Sequence, residues 1–318
     1  MLASDYDALR SGAAICTLPG HVVVRVVGDD RAAFLHGICS NDIKAASSGT
    51  IVPALFLTEH AHIIADFFAW IEDQAILIDI DAALWARARE HLGKLLVADD
   101  VEFEELNSLA LIDIEGPRAM DVVHTLVPQV ELSPWSFARA DGLRVGGIAR
   151  YGQPGVTILA PVENAVSVVS SAASTSESVR SVDYETIDIF RIENGVARIG
   201  VDTGDRTIAL EARLERAISL NKGCYVGQET IERATARGGI RKRLFGVKFS
   251  GDQSGDPGGA IMLNGKEVGH LTSTAHSPRF GNIGLAILHN SAGQPGTAVT
   301  VSSGDTETSA EVSELPFG

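Results

Sequence analysis

The stretch His21 to Val27, HVVVRVV, is a β-branched run that stops at Gly28, and Asp29-Asp30 after it suit the N-cap of a helix over Arg31 to Gly37. The figure returns at Leu109 to Ile114, LALIDI, which ends at Gly116-Pro117 before a helical stretch from Arg118 to Leu126. The proline there suits a first helical turn. The next segments also correspond. Phe67 to Ile80 reads as two strands around Glu72-Asp73-Gln74, then an amphipathic helix near Ala82 to Leu96. Gly147 to Ala160 reads as two strands around Gly152 to Gly155, then a helix near Val162 to Ala173, with Ile76 and Ile78 matched by Val156 and Ile158.

The first two-thirds is therefore one α+β unit used twice, with Ser170 to Ser178 as a surface connection inside the second copy. After Arg243 the grammar changes to short strands: LFGVKFS, AIMLNGKEVGHLTST, IGLAIL and TAVTVSS, broken by GDQSGDPGG, NGK and SAGQPG. That predicts an all-β module, a barrel or jelly roll. The fold class is α+β, with expected domains at 1–108, 109–240 and 241–318, a division that suits a chain of 318 residues.

Composition narrows the setting. At 45% hydrophobic and 21% charged the chain is ordinary globular material. Its apolar runs, such as Ala75 to Ile80, are too short to cross a bilayer, and MLASDYDALRSG lacks the parts of a signal peptide. Three widely spaced cysteines, Cys16, Cys39 and Cys224, with no CxxC, argue against a disulfide scaffold or a zinc site and for a reducing cytoplasm. No metal site is expected.

The formal charge of −15 disfavours direct nucleic-acid binding, including a tRNA-binding reading of Arg241-Lys242-Arg243. It hides a local exception. Arg213 to Lys248 holds nine Lys or Arg against three Glu, a net +6 that leaves −21 for the remainder. The segment reads either as a solvated charged face or as an anion site. In its middle stands Lys222 to Glu229, KGCYVGQE, with Cys224 between two glycines that relax the backbone and QETIERATA favouring a helix after it. Lys222 and a helix N-terminus would both favour a thiolate. A small buried thiol packing a domain junction is the other reading. Two carboxylates admit similar pairs of readings. Glu193, in RIENG after the apolar run TIDIF read as a strand, could accept N–H bonds from an aminopyrimidine edge or pair with a surface arginine. Asp66, inside HIIADFFAW, needs a partner or a function if buried, unless it lies on an outward face.

KGCYVGQE, with Glu232-Arg233 and Arg237-Gly238 after it, resembles the signature of YgfZ-type folate-binding proteins, relatives of the glycine-cleavage T-protein (aminomethyltransferase). Phe34-Leu35-His36-Gly37 with Ser40-Asn41-Asp42-Ile43, Arg191 to Asp202, and Val268 to Ser273 with Ser277-Pro278 and Gly284-Leu285-Ala286 are similar to further patterns of that superfamily. The resemblance implies a three-domain ring around a central tetrahydrofolate or one-carbon derivative. It implies that function depends on Lys222 and Cys224, that Asp66 falls where the T-protein aspartate meets the reactive side of folate, and that Glu193 falls at the pterin. Tyr225 and Gln228 of the motif are cofactor-contacting positions on the same ground, and Arg233, Arg237 or Arg241 would pair with the glutamate tail. Ala61-His62 stands where the family turn is glycine-rich, and the KxxFxG-type stretch of true T-proteins is replaced by the cysteine form.

The function implied is a cytoplasmic, monomeric folate-binding accessory protein. It would support assembly or repair of iron–sulfur proteins, tRNA-modifying enzymes among them, with iron–sulfur client or assembly proteins as partners and no membrane. The alternative is a folate-dependent aminomethyltransferase using Asp66 electrostatically.

Overall fold

The computed structural model describes residues 2–236, 239–304 and 306–318. In chain order the first part holds α1 (Leu2–Ser11), β1 (Ala13–Thr17), β2 (His21–Val27), α2 (Arg31–Ile38), β3 (Ile51–Leu57), β4 (Ile63–Ile71), β5 (Ile76–Asp81), α3 (Ala82–Leu95) and β6 (Glu102–Glu105). The second holds β7 (Leu109–Glu115), α4 (Ala119–Leu126), β8 (Phe137–Ala140), β9 (Leu143–Ile148), β10 (Gly155–Pro161), α5 (Val162–Ala173), β11 (Val179–Ser181), α6 (Tyr184–Glu193) and α7 (Gln228–Ala236). The last holds β12 (Lys242–Phe249), β13 (Ala260–Leu263), β14 (Lys266–Ser277), β15 (Gly281–His289), β16 (Ala298–Ser303) and β17 (Thr306–Ser313).

The duplication is visible in the strand order. One sheet runs β3-β4-β5-β2-β6 and the other β11-β1-β7-β10-β9-β8. Its β9-β10-β7 repeats β4-β5-β2, all antiparallel, and Val26 pairs with Ile76 as Ile114 pairs with Val156. The two sheets meet through Val23, Ile51, Phe68, Trp70 and Leu77 on one side and Leu111, Ile148 and Leu159 on the other. Strand β5 is buried at every position but Asp81, because both of its faces are covered. Asp81 turns that burial into a helix start, its carboxylate accepting from Ala83 N (2.8 Å) and Leu84 N (3.2 Å). From there α3 buries Leu84, Trp85, Ala88 and Leu92 on one stripe. In the second sheet α4 and α5 pack over Ile112, Ile114, Val156 and Ile158.

The barrel closes in the order β12-β15-β14-β13-β16-β17 and is filled by Val247, Ile261, Leu271, Leu288, Val301 and Val312. The chain divides into two compact units. The first takes residues up to Glu59, Ile64–Ile187 and Arg216–Val226, and so holds both sheets; the second takes His60–Ile63, Asp188–Glu215 and Gly227–Gly318, and so holds the barrel. The expected boundary at 108 lies between β6 and β7, and that at 240 between α7 and β12.

One local expectation is corrected, and one strand had no reading from the sequence. TIDIF lies inside α6, not in a strand. The deciding signal is Asp183, whose carboxylate accepts from the backbone N–H (2.9 Å) and hydroxyl (2.8 Å) of Thr186 and so starts a helix. The N-terminal strand β1 joins the sheet of the second repeat, pairing antiparallel with β7 and parallel with β11.

Candidate functional site

The KGCYVG loop belongs to the first unit and is fixed by α2. Helix α2 ends at Ile38 and leaves carbonyls without helical partners. The Lys222 ammonium fills that end, donating to the carbonyls of His36, Cys39 (2.7 Å) and Asn41 (3.0 Å). His36 Nε2 in turn lies 3.0 Å from the Lys222 carbonyl, and Val226 N donates to the Gly37 carbonyl (3.3 Å). Lys222 and Tyr225 are both buried, the ammonium 4.9 Å from the ring centroid. Burial holds Lys222 below the ordinary lysine value, opposed by Cys39 and Asp42.

Between these two inward side chains Cys224 is exposed. Gly223 (φ +91°) and Gly227 (φ +86°) take the left-handed conformations that let the chain reverse on either side of it. The other thiols are closed off. Burial pushes Cys16 up to about 12, and it raises the fully buried Cys39 as well. The sequence reading placed Lys222 beside the thiol as its chemical partner; the structure instead gives the ammonium three carbonyls and makes it the loop's anchor. The buried-thiol reading of Cys224 is excluded by its exposure.

Asp66 lies on β4 in the same unit. Burial pushes its carboxyl above the usual aspartate range, opposed by its own backbone N–H and by His21, Arg150 and Arg216. Sequence reasoning missed the cluster that supplies Arg150. Arg150 Nη2 pairs with Asp79, its Nε lies 2.8 Å from Asp113, and its guanidinium carbon sits 4.7 Å over Phe68. His21 Nδ1 is 2.9 Å from Asp79, while Asp113 accepts from Thr157 (2.6 Å) and Tyr151 (3.3 Å). Burial raises Asp113 and, further, Glu115, whereas Arg150 and His21 hold Asp79 low despite its burial. Glu115 Oε2 has no hydrogen-bond partner. The signal was in the sequence: Asp79, Asp113 and Glu115 all interrupt apolar strands.

Glu193, Gln228, Arg233 and Arg241 belong to the second unit. Glu193 is 1% exposed at the end of α6 and accepts from the Ser277 hydroxyl, which excludes the surface ion pair as its role. Ser277 also receives Arg279 N (3.1 Å) and Phe280 N (2.9 Å). Gln228 donates to Glu232 (2.6 Å), and Arg233, 3.9 Å from Glu229, is exposed, as is Arg241. Arg237 lies outside the described residues. The basic segment is neither uniformly solvated nor uniformly a site. Arg213 donates to the Leu244 carbonyl (2.7 Å), Arg216 to the Ala149 carbonyl (2.7 Å), and Arg243 pairs with Glu215 at 2.5 Å.

The remaining motif residues hold the barrel unit together. Arg191, 2% exposed, donates to Asp188 (2.6 Å), Asp202 (2.6 Å), the Val196 carbonyl (3.0 Å) and Ser273 (2.8 Å). Asp202 also accepts from Thr272 and Ser273 (2.6 Å each) and from Arg198 N (2.9 Å). Among the described residues no cluster could hold a metal ion, and no helix is long and apolar enough to cross a membrane.

Two sheets sharing one duplicated antiparallel three-strand design, followed by a six-stranded barrel, define a T-protein-like fold. A solved aminomethyltransferase T from Bartonella henselae superposes with a TM-score of 0.89 over 100% of this chain and 89% of its own, at 19% identity. Residues 1–222 match the GCVT N-terminal domain and residues 242–317 the glycine cleavage T-protein C-terminal barrel domain; the chain belongs to this family. It is 32% identical to a candidate transferase of Arabidopsis thaliana described as chloroplastic, over 98% of this chain and 72% of that protein. It is 24% identical to the mitochondrial aminomethyltransferase of Dictyostelium discoideum, over 92% of this chain and 79% of that protein.

Proposed function

We propose that this chain is a tetrahydrofolate-binding accessory protein of the T-protein family, acting through Cys224 in support of iron–sulfur proteins, those that modify tRNA included. The exposed thiol carries the reading. The fold holds Lys222 and Tyr225 inward and leaves the sulfur between them open to solvent, an arrangement of use to a reactive residue and of none to packing. Glu193 and Asp66 would meet the pterin and the one-carbon side of the cofactor, and Arg233, Arg237 or Arg241 its glutamate tail. A cytoplasmic monomer suits this role, with iron–sulfur client or assembly proteins as partners.

Titration calorimetry with tetrahydrofolate tests the cofactor: saturable binding supports the reading, and no heat at sub-millimolar ligand overturns it. Cys224→Ser tests the thiol. It should bind folate as the unsubstituted chain does and fail to restore iron–sulfur enzyme activity in cells lacking the protein; full restoration would remove the thiol from the function.

A second reading, folate-dependent aminomethyl transfer, is favoured by the aminomethyltransferases among the relatives and by the raised carboxyl of the half-buried Asp66. Release of methylenetetrahydrofolate from an aminomethylated carrier, abolished by Asp66→Asn and indifferent to Cys224→Ser, would establish it over the first.

A further inference from the structure

The outer wall of the barrel carries a hollow of about 490 Å³, a size that suits a small molecule. Lys242 and His289 stand directly opposite each other on β12 and β15, and His270 on β14 pairs with Ile287, two residues from His289 on the same face. Lys266 joins them from the hairpin between β13 and β14, whose Asn264-Gly265 turn has φ of +52° and +75°.

The local backbone is shaped for this. Ile261 pairs with Gly269 but Met262 with Glu267, so Val268 is an extra residue that bulges β14 where it borders the hollow. At Gly269 a Cβ would lie 2.1 Å from the Ile287 carbonyl oxygen, so only glycine permits β14 to approach β15 here. The turn at Ser291 settles one tautomer: Ser291 N donates to His289 Nδ1 (3.2 Å), which leaves Nε2 as the donor of the neutral ring.

The electrostatics are unbalanced. Two lysines line the hollow, and the carboxylate lining it is that of Glu267 alone. Neither Lys242 nor Lys266 forms an ion pair among the described residues, in a chain whose net charge is −15. Leu263 and Val268 add an apolar wall.

We propose that this hollow is a binding site for a small organic molecule bearing a doubly charged anionic group, a phosphate monoester or a di- or tricarboxylate. The two ammonium groups supply the field, the histidines supply directed N–H donors, and the apolar wall takes the carbon skeleton. The anion would offset the Lys242 charge that, after partial burial, holds His270 below its ordinary value. Bound ligand therefore moves the His270 titration upward, within the field of Lys242, Lys266, His289 and Glu267.

The test is histidine side-chain NMR of the full chain, titrated separately with inorganic phosphate, citrate and sodium chloride at matched ionic strength. Saturable shifts of His270 and His289 with phosphate or citrate support the site, and the arm saturating at lower concentration identifies the headgroup. The Lys242→Met/Lys266→Met double variant should weaken that binding about tenfold or more. Shifts that follow ionic strength alone, equal movement of the other histidines, or unchanged binding by the double variant would overturn it.

Discussion

Each unit buries one arginine between two aspartates, and the two sites differ in how completely they are matched. Around Arg191 every acceptor has a donor: Asp202 alone receives Arg191, Arg198 N, Thr272 and Ser273. Around Arg150 the acids outnumber the cation. Asp79, Asp113 and Glu115 are each no more than 1% exposed, Glu115 has an unpartnered oxygen, and Asp66 lies within the same field. A matched network fixes one geometry and has nothing left to titrate. An unmatched one holds carboxyls away from their ordinary range, which is the state a group needs to exchange protons near neutrality. The motif residues around Arg191 are therefore mutually paired, and the acids without full pairing lie around Arg150 in the first unit.

Replacing each arginine separates the two cases. Arg191→Met leaves Asp202 buried without its cation, a loss of about 3–5 kcal/mol in urea unfolding, and since three donors to Asp202 remain, acidification should recover little of it. Arg150→Met should cost a similar amount at pH 8. There Asp79 and Asp113 lose their shared counter-charge, so both carboxyls are raised in the folded state. Such groups stabilise below their unfolded values and lose that contribution as pH rises through the folded value, so the deficit should shrink markedly by pH 5. Trp70, Trp85 and Trp135 all belong to the first unit, so fluorescence follows the Arg150 side and circular dichroism both. Equal deficits for Arg150→Met at the two pH values would remove the distinction.

Glu115→Gln isolates the spare acid. Burial raises Glu115 well above its ordinary 4.5, so between its unfolded and its folded value it keeps its proton when folded and gives it up when unfolded. The unfolded chain then binds fewer protons, and stability falls with rising pH by about 1.4 kcal/mol per unit from its unfolded value up to its folded one. The amide removes that slope. The variant should match the unsubstituted chain near pH 4 and exceed it at pH 7 and above, as urea midpoints across that range would show. Parallel profiles would mean that Glu115 is ionised in the folded protein.

The duplication was legible because β2 and β7, β5 and β10, and α3 and α5 are written in one alternation of apolar runs and caps; Val162–Ala173 agrees with its sequence reading to the residue. The barrel was legible from its turns. What escaped depended on contacts between distant segments. Ile15 of β1 pairs with Ile114 and Ser181, neither of which leaves a local trace. TIDIF carries strand-like residues, and the cap at Asp183 overrides them. Cys224 could be picked out by its glycines, but the direction of Lys222 could not. The ammonium is claimed by the end of α2, some 180 residues earlier, and spacing within KGCYVGQE says nothing of that.

The same contrast between matched and unmatched groups reaches its smallest scale within the KGCYVG loop. Lys222 is matched, with three carbonyls and an aromatic face around it, whereas Cys224 is exposed. Lys222→Met should therefore cost about 1–3 kcal/mol, because the carbonyls beyond α2 lose their donor. Cys224→Ser should change stability by no more than about 0.5 kcal/mol, because an exposed sulfur gives nothing up when replaced. A thiol-specific reagent should label one site quickly in the native chain, none in Cys224→Ser, and all three cysteines only in urea. Rapid native labelling of Cys39 would show that α2 and the loop separate in solution. Lys222 would then anchor too weakly to hold the sulfur in place.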